Sequence, residues 1–200
     1  MSYLISSIIG YLFGCINTAY IVGRLKGVNI KKTGTNNAGA SNVFISIGKI
    51  YGVIVGFFDV FKAFFASLTA YLFFNENMEI AVFAGAMAVI GHMFPFWMKF
   101  NGGKGLAPFM GMVLFYNFGL FAVLGIILIA ITLITDYISV AALVVSVLLP
   151  VYMVLFEHNN FIAAYLFMIT VIMWYRHREN IKRLKNGTEI GFLRKNKIKK

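Results

Sequence analysis

Long apolar runs, separated by short polar stretches, occupy most of the chain. A helix that crosses the hydrocarbon layer of a bilayer needs about 20 mostly apolar residues, and seven runs approach or reach that length. They lie at roughly 3–23, 52–74, 79–98, 105–117, 118–135, 138–156 and 161–175. The fourth and seventh runs are short, as expected of helices that tilt or re-enter. Because lipid offers the backbone no hydrogen-bond partner, the pattern predicts an all-α protein with seven transmembrane helices in one bundle.

Composition agrees with this pattern. Of the 200 residues, 60% are hydrophobic and 12% are charged, which is far from the balance of a soluble domain. The first run has neither a basic segment before it nor a small-residue cleavage site, so it predicts a retained helix rather than a signal peptide. No repeat or low-complexity linker interrupts the chain. We therefore expect a single membrane domain over 1–200, with a basic cytoplasmic tail from residue 179 onward.

The basic residues predict the orientation of the bundle. Apart from Lys62, they follow the first run, separate the third and fourth runs, or follow the seventh: Arg24, Lys26, Lys31, Lys32, Lys49, Lys99, Lys104, Arg176, Arg178, Lys182, Arg183, Lys185, Arg194, Lys195, Lys197, Lys199 and Lys200. Seven helices place these three regions on one side of the membrane. By the positive-inside rule the N-terminus is then outside and the C-terminus cytoplasmic. The net charge of +11 reflects topology and attraction to membrane lipids, and nucleic-acid binding is not predicted.

The sequence "FNGGKG" at 100–105 lies on the predicted cytoplasmic side. Its paired glycines, Gly102 and Gly103, allow successive backbone N–H groups to converge on an anion, and Lys104 adds a positive charge. The helix predicted to start at Gly105 also favours an anion at its N-terminus. Phosphate is the natural candidate, although the Ser/Thr of a Walker A loop is absent. A glycine-rich turn with an interfacial lysine is the alternative.

Two further polar stretches are predicted on the same side. "TGTNNAGASN" at 33–42 contains donors and acceptors that suit a polyol or a phosphate, although such residues also cap helices and form turns: Thr35, Asn36, Asn37, Ser41 and Asn42. "YRHREN" at 175–180 places Arg176, His177 and Asn180 on one helix face, while Glu179 projects elsewhere. Arg suits phosphate and His suits proton transfer near neutral pH. The alternative is a positively charged membrane stop.

Three ionisable residues are predicted within the membrane. Asp59 and Lys62 lie one helical turn apart and can pair, which lowers the cost of burying either charge. His92 precedes Pro95 near the inner end of the third run, where a packing or hydrogen-bonding role is more typical than catalysis. There is no metal-ligand set and no nucleophile–base pair. If the protein is an enzyme, positioning and charge stabilisation must carry its chemistry.

These stretches resemble a known family when they are taken together. "TGTNNAGASN", "FDVFKA", "GHMFPFWMKFNGGKG" and "YRHRENIKRLKNGTE", in this order, resemble the bacterial acyl-phosphate-dependent glycerol-3-phosphate acyltransferases of the PlsY type. The resemblance covers nearly the whole chain. It implies a seven-helix protein of the bacterial cytoplasmic membrane whose motifs face the cytoplasm, which agrees with the orientation predicted from charge.

The resemblance also implies a reaction. A fatty acyl group passes from acyl phosphate to the 1-hydroxyl of glycerol 3-phosphate, giving lysophosphatidic acid and phosphate for phospholipid synthesis, without a metal or cofactor. It implies that Lys104, His177 and Asn180 are catalytic, with phosphate and pocket contacts from Gly102, Gly103, Thr35, Asn37, Ser41 and Asn42. Supporting residues would be His92, Asp59, Lys62, Arg178 and Glu179.

The chain departs from the family pattern at three positions. Ile45 lies where an arginine is expected, Asn101 replaces a usual lysine, and Ala142 replaces a serine. Loss of a guanidinium contact to phosphate removes charge-assisted hydrogen bonds, at a cost on the order of several kcal/mol. A second hypothesis is therefore a divergent paralogue with a changed acceptor or no catalysis. A third, suggested by Asp59 and Lys62 at membrane depth, is an organic-phosphate transporter.

Overall fold

The structure, a computed structural model, describes residues 1–192. Over these residues it contains no strand, and its regular elements are a 3₁₀ helix at Phe96–Met98 and the helices α1 Ser2–Cys15, α2 Thr18–Leu25, α3 Ala40–Ser46, α4 Lys49–Phe73, α5 Met78–Met93, α6 Leu106–Tyr116, α7 Phe118–Thr135, α8 Ile138–Leu155, α9 Asn160–Arg176 and α10 Arg178–Lys185. The prediction of an all-α protein is confirmed over this range. The basic residues assigned to the end of the tail lie outside the described residues: Arg194, Lys195, Lys197, Lys199 and Lys200.

The predicted apolar runs correspond closely to helices. Within residues 1–192, five segments are long and apolar enough to cross a membrane: 2–25, 49–73, 78–98, 118–135 and 138–155. The fourth and seventh runs form the shorter helices α6, of 11 residues, and α9, of 17 residues. A multi-pass membrane protein is therefore supported, and the two runs expected to be short are the two short helices.

Contacts divide the chain into two compact units, Met1–Phe121 and Ala122–Lys200. In the first unit α5 is the central helix, and it packs against α1, α4 and α6. Small residues allow this close packing: a Cβ added to Gly10 or Gly14 of α1 would overlap the backbone of Ala84 or Ala88 in α5. Such spacing of small residues lets transmembrane helices approach closely.

The first apolar run, predicted as one helix, is broken at Ile16 and Asn17. Asn17 caps α2 by accepting a hydrogen bond from the Tyr20 N–H at 2.8 Å. The break leaves two backbone carbonyls without helical partners. The Cys15 carbonyl accepts from the Trp97 indole N–H, and the Ile16 carbonyl accepts from the Lys62 ammonium, both at 2.8 Å. Interruptions of membrane helices persist where such partners satisfy the backbone.

In the second unit α8 packs against α9, and Thr170 donates to the Ser146 carbonyl at 2.6 Å. The first part of the predicted basic tail is folded. Residues 178–185 form α10, and the segment after it folds back, since the Phe192 N–H donates to the Asp136 carbonyl at 2.8 Å. Burial of Asn180 and Glu189 explains why this stretch does not behave as a solvated tail.

Candidate active site

The glycine loop at 102–105 is tied to the end of α5. Helix α5 ends before Pro95, so its last carbonyls lack helical partners. The Gly103 N–H donates to the His92 carbonyl and the Gly102 N–H donates to the Met93 carbonyl, each at 3.0 Å. The anion nest predicted from these two glycine N–H groups is therefore wrong, because both N–H groups already have acceptors.

The two glycines instead permit close packing. A Cβ at Gly102 would overlap the His92 carbonyl oxygen, and one at Gly103 would overlap Nε2 of the His92 ring. Gly105 differs, since it has a left-handed φ of +95° and precedes the first residue of α6. The loop therefore packs on His92. It continues through the half-buried Lys104 to the N-terminus of α6. A lysine beside a helix N-terminus retains the chemistry needed to bind an anion.

Behind the loop lies a buried group of ionisable side chains. Lys62 contacts the Asp59 carboxylate and Nδ1 of His92, each at 2.8 Å. The predicted pairing of Asp59 with Lys62 is therefore confirmed. The two residues lie one turn apart on α4, and His92 reaches them from α5.

The polar segment at 33–42 is organised by Asn42, which is fully buried. Its amide nitrogen donates to the carbonyls of Ile30, Thr33 and Asn37 at 2.8, 2.9 and 2.9 Å. Its amide oxygen accepts from the Thr35 N–H at 2.9 Å. The predicted pocket-lining role of Asn42 is wrong, because its buried amide is hydrogen-bonded within the protein to these backbone groups and to the Ser46 hydroxyl.

The other candidates in this segment are placed differently. Thr35, Asn37 and Ser41 are each half-buried. Their side chains lie at the edge of the loop that Asn42 holds closed. Part of each side chain remains exposed and can contact a ligand. Gly34 makes the tight path possible: its φ is +62°, and an added Cβ would overlap the side-chain oxygens of Asn42 and Ser46.

In the second unit, His177 and Asn180 lie at the junction of α9 and α10, and both are buried. Nδ1 of His177 lies 2.8 Å from the Met173 carbonyl oxygen. A carbonyl only accepts, so Nδ1 is the protonated nitrogen. In the neutral ring Nε2 is then a hydrogen-bond acceptor, which suits a substrate hydroxyl.

Glu189 also belongs to this site, although no role was predicted for it. It is 5% exposed and accepts from Asn180 Nδ2 at 2.5 Å, Ser139 Oγ at 3.0 Å and Arg183 Nε at 2.7 Å. Because a carboxylate only accepts, it fixes which end of the Asn180 amide is the donor. The sequence signal for Glu189 was that it is the single acidic residue in the basic stretch after α10.

Arg178 and Glu179 do not join His177 and Asn180. Both are exposed, and the Arg178 guanidinium donates to the Tyr175 carbonyl at 3.1 Å and lies over the Tyr175 ring. Their exposure separates them from the buried His177 and Asn180, and their supporting role stays a prediction. The expectation that His177 and Glu179 project to different sides is confirmed.

The three departures from the family pattern occupy distinct environments. Ile45 is half-buried on α3, Asn101 is exposed immediately before the glycine loop, and Ala142 is buried on α8. Ile45 shares α3 with Ser41 and Asn42, and Asn101 directly precedes Gly102.

These features define an integral membrane protein with polar sites suited to phosphorylated molecules. A family model described as glycerol-3-phosphate acyltransferase matches residues 4–187. The glycerol-3-phosphate acyltransferase 1 of Oceanobacillus iheyensis is 38% identical over 194 residues, covering 92% of each chain. That of Aquifex aeolicus is 35% identical over 199 residues, covering 96% of this chain and 100% of the relative.

Solved structures agree with these sequence matches. The crystal structure of PlsY, an integral membrane glycerol 3-phosphate acyltransferase, in its glycerol 3-phosphate form has a TM-score of 0.88, with 32% identity and 96% coverage of both chains. The lysophosphatidic acid form has a TM-score of 0.85 and covers 96% of this chain and 95% of that one. The present chain belongs to the glycerol-3-phosphate acyltransferase family.

Proposed function

We propose that this protein transfers a fatty acyl group from acyl phosphate to the 1-hydroxyl of glycerol 3-phosphate. The observation that carries the proposal is the match over 96% of the chain to PlsY in forms named for glycerol 3-phosphate and lysophosphatidic acid. The acyl phosphate donor is implied by the sequence resemblance. Retention of the lysine, histidine and asparagine of the family motifs supports the same reaction.

The chemistry balances without an acyl-enzyme. The acceptor oxygen attacks the acyl carbon, the bond from that carbon to the phosphate oxygen breaks, and inorganic phosphate leaves. The hydroxyl proton passes to a phosphate oxygen of a substrate, so no strongly basic side chain is required. The protein's task is to place the hydroxyl and stabilise the negative charge of the phosphates.

The described residues suggest how this task is divided. In the first unit, Lys104 beside the N-terminus of α6 binds a phosphate, and Thr35, Asn37 and Ser41 add hydrogen bonds. In the second unit, Nε2 of His177 accepts the hydrogen bond of the acceptor hydroxyl. Asn180, held by Glu189 at 2.5 Å, presents its amide oxygen in a fixed orientation.

The topology is proposed with the activity. Seven membrane crossings, including the short α6 and α9, place the N-terminus outside and the motifs in the cytoplasm of the bacterial cell, at the inner membrane. Support comes from the distribution of Lys and Arg. Reporter fusions to the C-terminus are expected to show a cytoplasmic location, and an external location would contradict the proposal.

The activity is tested with protein purified into lipid nanodiscs. Phosphate release and lysophosphatidic acid are measured with acyl phosphates of several chain lengths, with glycerol 3-phosphate or with other polyols as acceptor. Turnover is expected to require glycerol 3-phosphate. Lys104→Ala is expected to lower kcat/KM about 100-fold or more, whereas Lys182→Ala, which removes an exposed lysine of α10, should not.

Three results would contradict the proposal. Absence of turnover at every chain length would favour the divergent-paralogue hypothesis, and turnover with another acceptor would reassign the substrate. Uptake of glycerol 3-phosphate into proteoliposomes without acylation would indicate transport.

A further inference from the structure

The Lys62 ammonium has three N–H donors, and three acceptors surround it. They are the Asp59 carboxylate, Nδ1 of His92 and the carbonyl of Ile16, each 2.8 Å from Nζ. The Lys62 and Asp59 side chains are 5% and 1% exposed, and that of His92 is 4% exposed. We call this set the Lys62 network. Its ammonium has the full complement of acceptors that its donors need.

This geometry defines the proton position on His92. An ammonium can only donate, so Nδ1 of His92 must accept, and the proton of the neutral ring is on Nε2. The carboxylate of Asp59 supplies a countercharge to the ammonium inside the protein. Asp59 itself lies 3.7 Å from Nδ1, beyond hydrogen-bond distance, so Lys62 is the network residue that sets the tautomer.

The other side of the His92 ring faces the glycine loop. A Cβ added to Gly103 would overlap Nε2, so the loop backbone packs directly on the N–H edge of the ring. The His92 carbonyl also accepts from the Gly103 N–H at 3.0 Å. A rotation of the imidazole, or loss of the Nε2 proton, would therefore change the surface on which the residue before Lys104 rests.

The Lys62 network also connects the loop to the break in the first helix. Lys62 binds the Ile16 carbonyl, and Trp97, which leads into the loop, binds the adjacent Cys15 carbonyl at 2.8 Å. Both bonds satisfy carbonyls that the break leaves without helical partners. The break and the loop are thus held by neighbouring contacts.

We propose that Lys62 is a positioning residue: it holds His92 in the tautomer protonated at Nε2, and His92 in turn fixes the glycine loop and Lys104. The proposal deepens the proposed function, because it assigns to a buried cation the placement of the phosphate-binding lysine. Lys62 does not contact substrate in this scheme.

The test variant is Asp59→Asn combined with Lys62→Met. Removing both charges avoids leaving a carboxylate buried without its cation. The matched control is Ser67→Ala, on the same helix, whose buried hydroxyl has no hydrogen-bond partner among the described residues. Correct folding of both variants is checked by thermal unfolding in detergent.

The first readout is independent of activity. Nitrogen-15 NMR of histidine-labelled protein in nanodiscs, with the His92 signals assigned by comparison with His92→Asn, is expected to show an unprotonated Nδ1 and a protonated Nε2. In the double variant the single tautomer should be lost, and hydrogen exchange at 102–104 should accelerate. The control should retain both wild-type results.

The second readout is kinetic. The double variant is expected to raise KM for at least one phosphorylated substrate about tenfold or more, with a smaller change in kcat, because a displaced Lys104 loses phosphate contact. A wild-type ring protonated at Nδ1, or at both nitrogens, would overturn the proposal. So would a folded double variant with unchanged NMR signals and KM. If the wild type lacks acyltransferase activity, the proposed function fails. The NMR and hydrogen-exchange results still decide whether Lys62 positions His92 and the glycine loop.

Discussion

Substituting Gly103 by alanine tests the contact between the glycine loop and His92. The backbone of Gly103 is not left-handed, so alanine is compatible with its conformation, and the three atoms nearest to the added Cβ all belong to the His92 ring. Inserting a methyl group into a packed site typically costs about 1–3 kcal/mol. If the loop relieves the overlap by moving, that energy appears as a loss of roughly 5- to 150-fold in kcat/KM.

The assay is a double-mutant cycle on kcat/KM for glycerol 3-phosphate. In a His92→Ala background the ring is absent, so Gly103→Ala should cost little beyond His92→Ala itself. Gly102→Ala supplies the contrast, because its Cβ would meet the backbone carbonyl of His92, which the His92→Ala change leaves in place. Gly125→Ala, in α7 with nothing within 4 Å of the added Cβ, should be neutral or slightly stabilising.

The reasoning is refuted if Gly103→Ala costs the same with and without the ring. It is also refuted if His92→Ala rescues Gly102→Ala to the same extent as Gly103→Ala. Either result would mean that the loop tolerates or rejects side chains for a reason other than its packing on the imidazole.

Three further changes probe the other parts of the site. Glu189→Gln should lower kcat/KM about tenfold, because the Asn180 amide loses a charged acceptor. Steady-state kinetics measure the loss, and the control Glu76→Gln, at an exposed position, should leave kcat/KM unchanged. Asn42→Ala should destabilise the protein by about 2–4 kcal/mol, measured by thermal unfolding against the exposed Asn160→Ala, and an unchanged midpoint would contradict its organising role. Ile45→Arg should lower KM for a phosphorylated substrate several-fold if the missing guanidinium limits binding; Ile50→Arg, on the exposed start of α4, should not.

The apolar pattern of the sequence predicted the helices well, because a backbone in lipid must satisfy its own hydrogen bonds. The boundary between α6 and α7, at Asn117, coincides with the predicted end of the fourth run. The break at Ile16 and Asn17 could not be predicted in the same way. It depends on Lys62 and Trp97, which are distant in sequence and bind the two freed carbonyls.

The candidate site was predictable in its residue types and less so in its contacts. The family resemblance implied roles for Lys104, His177 and Asn180, but the acceptors of the glycine N–H groups follow from where α5 ends. Asn42 shows the same limitation. An asparagine in a polar loop has the same sequence signal whether its amide faces a ligand or, as here, three backbone carbonyls.

Glu189 has a consequence for biosynthesis. It emerges from the ribosome after all the apolar helices of the described chain, α1 to α9, have been made. The carboxylate that sets the Asn180 amide therefore arrives only once those segments can already occupy the bilayer. The contact between Glu189 and Asn180 therefore forms only after every residue of α1 to α9 has been synthesised.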